Sequence, residues 1–230
     1  MRVKGIATAA AVALALAAPG AWAQTISQQG SDIFGGVGAE TVSITSPADT
    51  RTVNAGAFRL AEGARNFLAW CVDAVTEISL PSTYTQTAAP FDNDPLFSPD
   101  VVPNILRLFN TAYAGLDVTD TVQAAGFQVA LWELIYDGPD GPFNLGAGEF
   151  RLNNNQAVRD AADGFLAGLD GYDTGNYALT FWEAPTNTSG NKRLSQNLIE
   201  ATVIPLPAGV WMLLAALGAL VAVRRARGTA

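Results

Sequence analysis

Hydrophobic and polar residues alternate in the first third of the chain, and this two-residue period predicts β-strands. One strand is expected at 41–45, and a second at 53–60 is interrupted by Gly56. The strongest strand candidate runs from 66 to 78 and is apolar on both faces, which is typical of a central strand. Cys71 lies within this segment, so we expect its side chain to be buried.

A helical spacing of apolar residues replaces this alternation in the middle of the chain. A first helix is predicted from Ser98-Pro99, because serine is a favourable N-cap and proline a favourable first residue. A second helix is predicted over 119–137, a third over 155–171, and a further strand over 177–183. The order of these elements predicts an α+β fold in which a β-sandwich or a barrel-like sheet carries a helical insertion.

Both ends of the chain differ in composition from this central part. Residues 1–23 combine two basic residues, a short apolar run and the small-residue pattern Ala21-Trp22-Ala23, which is typical of a cleavable signal peptide. At the other end, an uncharged apolar segment over 206–223 is followed by Arg224-Arg225-Ala226-Arg227. This segment is long enough for a single membrane-spanning helix, and the trailing arginines are expected on the cytoplasmic side.

A short proline-containing motif, Val203-Ile204-Pro205-Leu206-Pro207-Ala208, lies just before the apolar segment and overlaps its first three residues. Residues 203–230 resemble the PEP-CTERM class of sorting tails in its VPLPA variant, from which this chain departs by the inserted Ile204. The candidate sorting residues are Val203, Pro205, Leu206, Pro207 and Ala208. The resemblance implies a Gram-negative, exopolysaccharide-producing bacterium and processing by an exosortase. It also implies transient anchoring in the inner membrane, followed by release to the cell surface or the extracellular matrix.

Between these ends we expect one domain over 24–185 and a linker over 186–202. Five of the 13 basic residues lie in the two ends, which leaves 8 basic against 21 acidic residues and a net charge of −13. Such a surface does not suit binding to nucleic acid. Lys192 is the only lysine of this part, so the domain offers few amines of its own.

The chain contains no histidine and a single cysteine. The absence of histidine excludes Ser-His-Asp and Cys-His hydrolases and histidine-based zinc sites. We therefore predict no metal, no cofactor and no enzymatic turnover. A single cysteine cannot form a disulfide within the chain, which leaves a free thiol, a disulfide between two copies or an internal thioester.

Gln128 occupies the middle of the apolar stripe of the second predicted helix, where a buried amide without partners costs about 1–3 kcal/mol. Either Gln128 hydrogen-bonds to a neighbouring backbone, or Cys71 attacks its amide carbon, releases ammonia and forms a thioester. A thioester needs a dry pocket, and the candidate pocket residues are Trp70, Phe127, Leu131 and Trp132. Asp73 is a candidate proton carrier or, alternatively, a solvated residue at the rim.

The segments Trp70-Cys71-Val72 and Gln128-Val129-Ala130-Leu131-Trp132, with Glu133 following, resemble the two half-motifs of the bacterial thioester domain family. The resemblance implies a Cys71–Gln128 crosslink that reacts once with an amine-type nucleophile on a matrix or host molecule. Two features depart from that family. Phe127 stands at a position where threonine is frequent. The best-known members are adhesins of Gram-positive bacteria, whereas the tail implies a Gram-negative one. Two alternatives stay open: a passive, exopolysaccharide-associated matrix protein without a thioester, and a dimer linked through Cys71.

Overall fold

The computed structural model describes residues 22–89, 91–171, 175–190 and 192–204. Of the signal peptide predicted over 1–23, residues 1–21 lie outside the described residues, whereas Trp22 and Ala23 begin the first strand, Trp22–Gln28, and pair with another strand. The predicted sorting tail lies outside the described residues from Pro205 onward, including Leu206, Pro207 and Ala208. Within the described ranges, no helix has the length and apolar character needed to cross a membrane.

Nine strands and three α-helices form the described part of the chain. The strands are β1 (Trp22–Gln28), β2 (Glu40–Thr45), β3 (Thr50–Ala55), β4 (Phe58–Glu62), β5 (Arg65–Cys71), β6 (Ser82–Thr87), β7 (Arg151–Leu152), β8 (Tyr177–Glu183) and β9 (Leu198–Val203). The helices are α1 (Val102–Ala112), α2 (Thr121–Tyr136) and α3 (Gln156–Ala167), with short 3₁₀ turns at Pro99–Val101, Tyr113–Gly115 and Gly168–Gly171.

Six of the strands close into an antiparallel barrel in the order β1-β4-β5-β9-β8-β6. The remaining three form a small sheet in the order β3-β2-β7. The mixed α+β prediction is therefore confirmed, and of the two sheet architectures that the sequence left open, the barrel is the one that forms. The helices follow β6 and precede β8 along the chain, as a helical insertion requires.

Helix α2 is buried on all sides, although its sequence predicts a single apolar face. Its residues from Ala124 to Tyr136 are all buried, because it packs against both other helices and the three-stranded sheet. Gly126 permits the closest approach: a Cβ built there would lie 2.6 Å from the Cβ of Ala161 in α3. The helix begins at Asp120, whose carboxylate accepts hydrogen bonds from the main-chain N–H groups of the first turn.

Two strand predictions need correction. The strand expected over 66–78 ends at Cys71, and the segment that follows is a loop. The linker predicted over 186–202 is wrong in its second half, because residues from Leu198 onward form β9 between β5 and β8. This strand carries Glu200, whose carboxylate is buried against Arg65 and Trp182. Because a charged residue interrupts its apolar positions, the hydropathy pattern does not predict a buried strand there.

Candidate functional site

Cys71 lies at the point where β5 loses one of its two neighbouring strands. Along one edge β5 pairs with β4, which begins at Phe58 opposite Ala69. Along the other edge it pairs with β9, and just past the strand the main-chain N–H of Val72 donates to the carbonyl of Asn197 on that side. Because successive residues point their polar backbone groups to opposite edges, those of Cys71 point to the β4 side, where no strand continues.

The side-chain amide of Gln128 fills this gap. The main-chain N–H of Cys71 donates to Gln128 Oε1 at 2.9 Å, and Gln128 Nε2 donates to the main-chain oxygen of Cys71 at 2.7 Å. The amide thus pairs with Cys71 as a residue of an adjacent strand does. Cys71 is 2% exposed and Gln128 is 1% exposed. The structure therefore brings together the two residues that the sequence predicts as partners, across 57 positions of the chain.

The sulfur of Cys71 is shielded from solvent and hydrogen-bonded to the main chain. Its thiol donates to the main-chain oxygen of Asp73, with the sulfur 2.9 Å from that oxygen. Burial raises the pKa of the thiol well above its ordinary value, and the negative charge of Asp73 adds to this effect. The hydrogen bond to the Asp73 main chain and the nearby Trp132 indole act in the opposite direction and are outweighed. A thiolate is therefore disfavoured at neutral pH.

Asp73 touches the sulfur through its main chain and not through its carboxylate. Carboxylate oxygen Oδ1 accepts from the N–H groups of Val75 at 2.8 Å and Thr76 at 3.2 Å, and Oδ2 pairs with Arg193. Asp73 falls within the strand expected over 66–78, but it lies in the loop after β5, because that strand ends at Cys71. The geometry gives no support to Asp73 as a proton carrier.

The four predicted pocket residues are all buried around the amide. The Trp70 and Phe127 rings lie 4.5 Å apart between centroids, and Phe127 also packs against Phe109 at 5.0 Å. Leu131 is fully buried, and Trp132 is 2% exposed. The pocket residues are apolar, and the side chains of Cys71 and Gln128 are shielded from solvent.

A loop over residues 72–79 covers the sulfur, and residues distant in sequence hold it. Tyr136 Oη, at the end of α2, accepts from the main-chain N–H of Ala74 at 3.0 Å. Arg193 pairs with Asp73 and, at 3.1 Å, with the buried carboxylate of Asp94. Sequence reasoning missed Arg193 and Tyr136, since neither belongs to a local motif near Cys71 or Gln128.

Two surface clefts border this loop. Their volumes are about 1020 Å³ and about 650 Å³. Both are lined by Arg51 and by the loop residues Thr76, Glu77 and Ile78. The loop that follows Cys71 thus forms part of the wall of both clefts.

The described residues contain no group of three or more histidine, cysteine, aspartate or glutamate side chains that could hold a metal ion. Comparison with protein families and with curated proteins finds no match to this chain. The functional assignment therefore depends on the chemistry of the Cys71–Gln128 site and on the residues of the predicted tail.

Proposed function

We propose that this chain is an exported surface protein that carries an internal Cys71–Gln128 thioester and attaches covalently to amine-bearing matrix or host molecules. One observation supports the proposal above the others: the only cysteine and a buried glutamine amide are paired with each other inside an aromatic pocket. The chain would react once and would not turn over, so it is not an enzyme on this proposal.

Formation of the bond needs no oxidant and no cofactor. The Cys71 sulfur attacks the side-chain carbonyl carbon of Gln128, the carbon–nitrogen bond breaks, and the amide nitrogen leaves as ammonia with the proton of the thiol. Negative charge develops on Oε1 during the attack. The main-chain N–H of Cys71, 2.9 Å from that oxygen, is placed to stabilise it as an oxyanion-hole donor does.

Opening of the bond attaches the partner. An amine nitrogen attacks the same carbon of Gln128, the carbon–sulfur bond breaks, and the amine loses a proton while Cys71 regains its thiol. The product is an isopeptide-type bond between Gln128 and the partner. The net charge of −13 between the two predicted ends favours partners that present protonated amines, because the domain attracts cations over a distance of about a Debye length.

The cellular location belongs to the same proposal. The resemblance of residues 203–230 to a VPLPA-type sorting tail supports export, transient inner-membrane anchoring and release by an exosortase. Val203, the first residue of that motif, ends β9 and pairs with Tyr177, so the barrel continues up to the predicted tail. The reactive domain would therefore be presented close to the processing site.

Intact mass spectrometry of the processed protein tests the thioester directly. The proposal predicts a mass lower by one ammonia than the sequence requires, and no alkylatable thiol when the protein is denatured. Methylamine should convert this species to one that is one methylene heavier than the uncrosslinked chain, with one free thiol. Cys71→Ser and Gln128→Ala are the matched controls and should show no deficit. A wild-type protein at full mass with an alkylatable Cys71 would overturn the proposal.

A passive, exopolysaccharide-associated matrix protein is the second candidate, and the hydrogen bonds of the site favour it. Both polar atoms of the Gln128 amide and the thiol of Cys71 already have partners, so the site is satisfied without a covalent bond. The same mass measurement separates the two candidates. A dimer linked through Cys71 has no comparable support, because its sulfur is buried.

A further inference from the structure

Two tryptophans of the candidate site have indole N–H groups without a hydrogen-bond acceptor of standard geometry in the described part of the chain. They are Trp70, in β5 directly before Cys71, and Trp132, in α2. Their side chains are 0% and 2% exposed, so water does not satisfy either donor. Buried donors in proteins are nearly always paired, and an exception at a reactive site needs an explanation.

The two orphaned donors have different surroundings. Trp132 follows Gln128 by four residues, so both side chains lie on the face of α2 whose amide bonds to the main chain of Cys71. The indole of Trp132 also lowers the pKa of the Cys71 thiol. The N–H of Trp70 acts on the Tyr113 hydroxyl instead, and the two rings meet edge to face at 6.3 Å. Only the Trp132 donor is therefore near the atom that leaves when a thioester opens.

Opening the bond places negative charge on a sulfur that the site otherwise disfavours as an anion. The titratable groups that face the sulfur are Asp73, Asp94, Tyr84 and Tyr136, and none of them is a cation. Arg193 is held by Asp73 and Asp94. A donor without a partner in the resting state, and next to the sulfur, gains its hydrogen bond as the charge appears. Such a group stabilises the transition state more than the ground state.

We propose that Trp132 is a catalytic residue of thioester opening, whose indole N–H donates to the Cys71 sulfur as the carbon–sulfur bond breaks. This inference rests on the proposed thioester. As the amine nitrogen bonds to the Gln128 carbonyl carbon, the electron pair of the broken bond stays on sulfur. The sulfur then takes up the proton that the amine releases.

Two replacements of Trp132 test this role, each compared with the wild type. Trp132→Phe removes the N–H and some ring volume, whereas benzothienylalanine at position 132 keeps the bicyclic ring and removes only the N–H. Intact mass first establishes that each protein carries the thioester. The rate of opening by methylamine is then followed by mass, and the pH dependence of the thiolate absorbance is recorded for the opened protein.

We expect both Trp132 replacements to open at least about tenfold more slowly than the wild type and to show a raised thiol pKa in the opened state. Unchanged kinetics for the benzothienylalanine protein would overturn the role of the N–H, even if Trp132→Phe is slow or unstable. Absence of the ammonia deficit from the wild type would instead refute the thioester itself.

Discussion

Arg193 pairs with the carboxylate of Asp73, two residues after the cysteine of the candidate site, and so ties the covering loop to a distant part of the chain. The same guanidinium pairs with Asp94, and the side chains of the two aspartates are 2% and 3% exposed. Removing one partner of a buried ionic group leaves uncompensated charge, which is more costly than losing an exposed ion pair.

Arg193→Met is therefore expected to lower the free energy of unfolding by about 3–5 kcal/mol, because two buried carboxylates lose their cation. Asp49→Asn, which removes the exposed pair with Arg51, should cost no more than about 1 kcal/mol. Urea unfolding of both variants measures the difference. If the thioester forms, Arg193→Met should also hydrolyse faster, which appears as a smaller fraction of protein with the ammonia deficit. Equal stability of the two variants would contradict this account of the loop.

Gln128→Ala should destabilise the fold whether or not a thioester forms. The substitution leaves the main-chain N–H and C=O of Cys71 buried without partners and opens a cavity between α2 and β5. We expect a loss of about 2–4 kcal/mol in the free energy of unfolding, measured with urea. Gln123→Ala, one turn earlier and at the exposed start of the same helix, should change it by less than about 1 kcal/mol. A Gln128→Ala protein as stable as Gln123→Ala would show that the amide does not support the strand end.

Gly126→Ala should force α2 away from α3. The new Cβ would lie 2.6 Å from the Cβ of Ala161, and overpacking of this kind costs about 1–3 kcal/mol. Gly164→Ala in α3 is a matched control, because a Cβ there meets nothing within 4 Å, and it should stabilise by about 0.5–1 kcal/mol. Thermal unfolding measures both effects. Since Gly126 lies two residues before Gln128, its substitution should also reduce the fraction of chains that carry the thioester.

Glu133 gives the stability a pH dependence that runs opposite to that of ordinary carboxylates. Burial raises its pKa from 4.5 to about 8, against a main-chain hydrogen bond from Asn144 that lowers it. Between these two values the folded protein binds a proton that the unfolded chain has released, so stability falls as the pH rises through this range. Glu133→Gln, uncharged at every pH, should remove this fall.

The midpoint of urea unfolding, measured at about pH 5.5 and at about pH 8.5, reports the effect. These two pH values enclose the upper part of the range between the unfolded and folded pKa values of Glu133. The wild type should lose stability between the two pH values, and Glu133→Gln should lose less. Glu149→Gln is a suitable control because Glu149 is exposed, and it should keep the wild-type dependence. If Glu133→Gln lost as much stability between the two pH values as the wild type, the pH dependence would come from other groups.

Local signals in the sequence were sufficient to predict the helices. The Ser98-Pro99 start is observed as a capped 3₁₀ turn that leads into α1, and the periodic segments become α2 and α3 close to their expected limits. The pairing of Cys71 with Gln128 was predicted from a single cysteine, an amide within an apolar helical stripe and the resemblance of the two segments to the thioester domain family. The sequence could not show that the amide completes the edge of β5, since this depends on where β4 begins.

The strands were harder to predict, because a closed barrel needs few apolar residues in each strand. β1 and β6 have one fully buried large side chain each among their described side chains, Ile26 and Tyr84, and their other positions are mostly polar. β9 contains a buried glutamate that Arg65 and Trp182 satisfy from other strands. The partner that makes such a residue acceptable lies far away along the chain, where pattern analysis cannot identify it. Arg193 was not predicted as a site residue for the same reason.

The position of β9 has a mechanical consequence. The chain leaves the barrel at Val203, and the strand that ends there pairs with β8 on one side and, at Leu198 and Ile199, lies opposite Cys71 and Trp70 of β5 on the other. Tension on the residues after Val203 would pull β9 along its own axis. Its bonds to β8 would then be loaded together in shear, not broken one after another. A tether attached at that end would load all six paired positions of the β8–β9 ladder before the strand could leave the barrel.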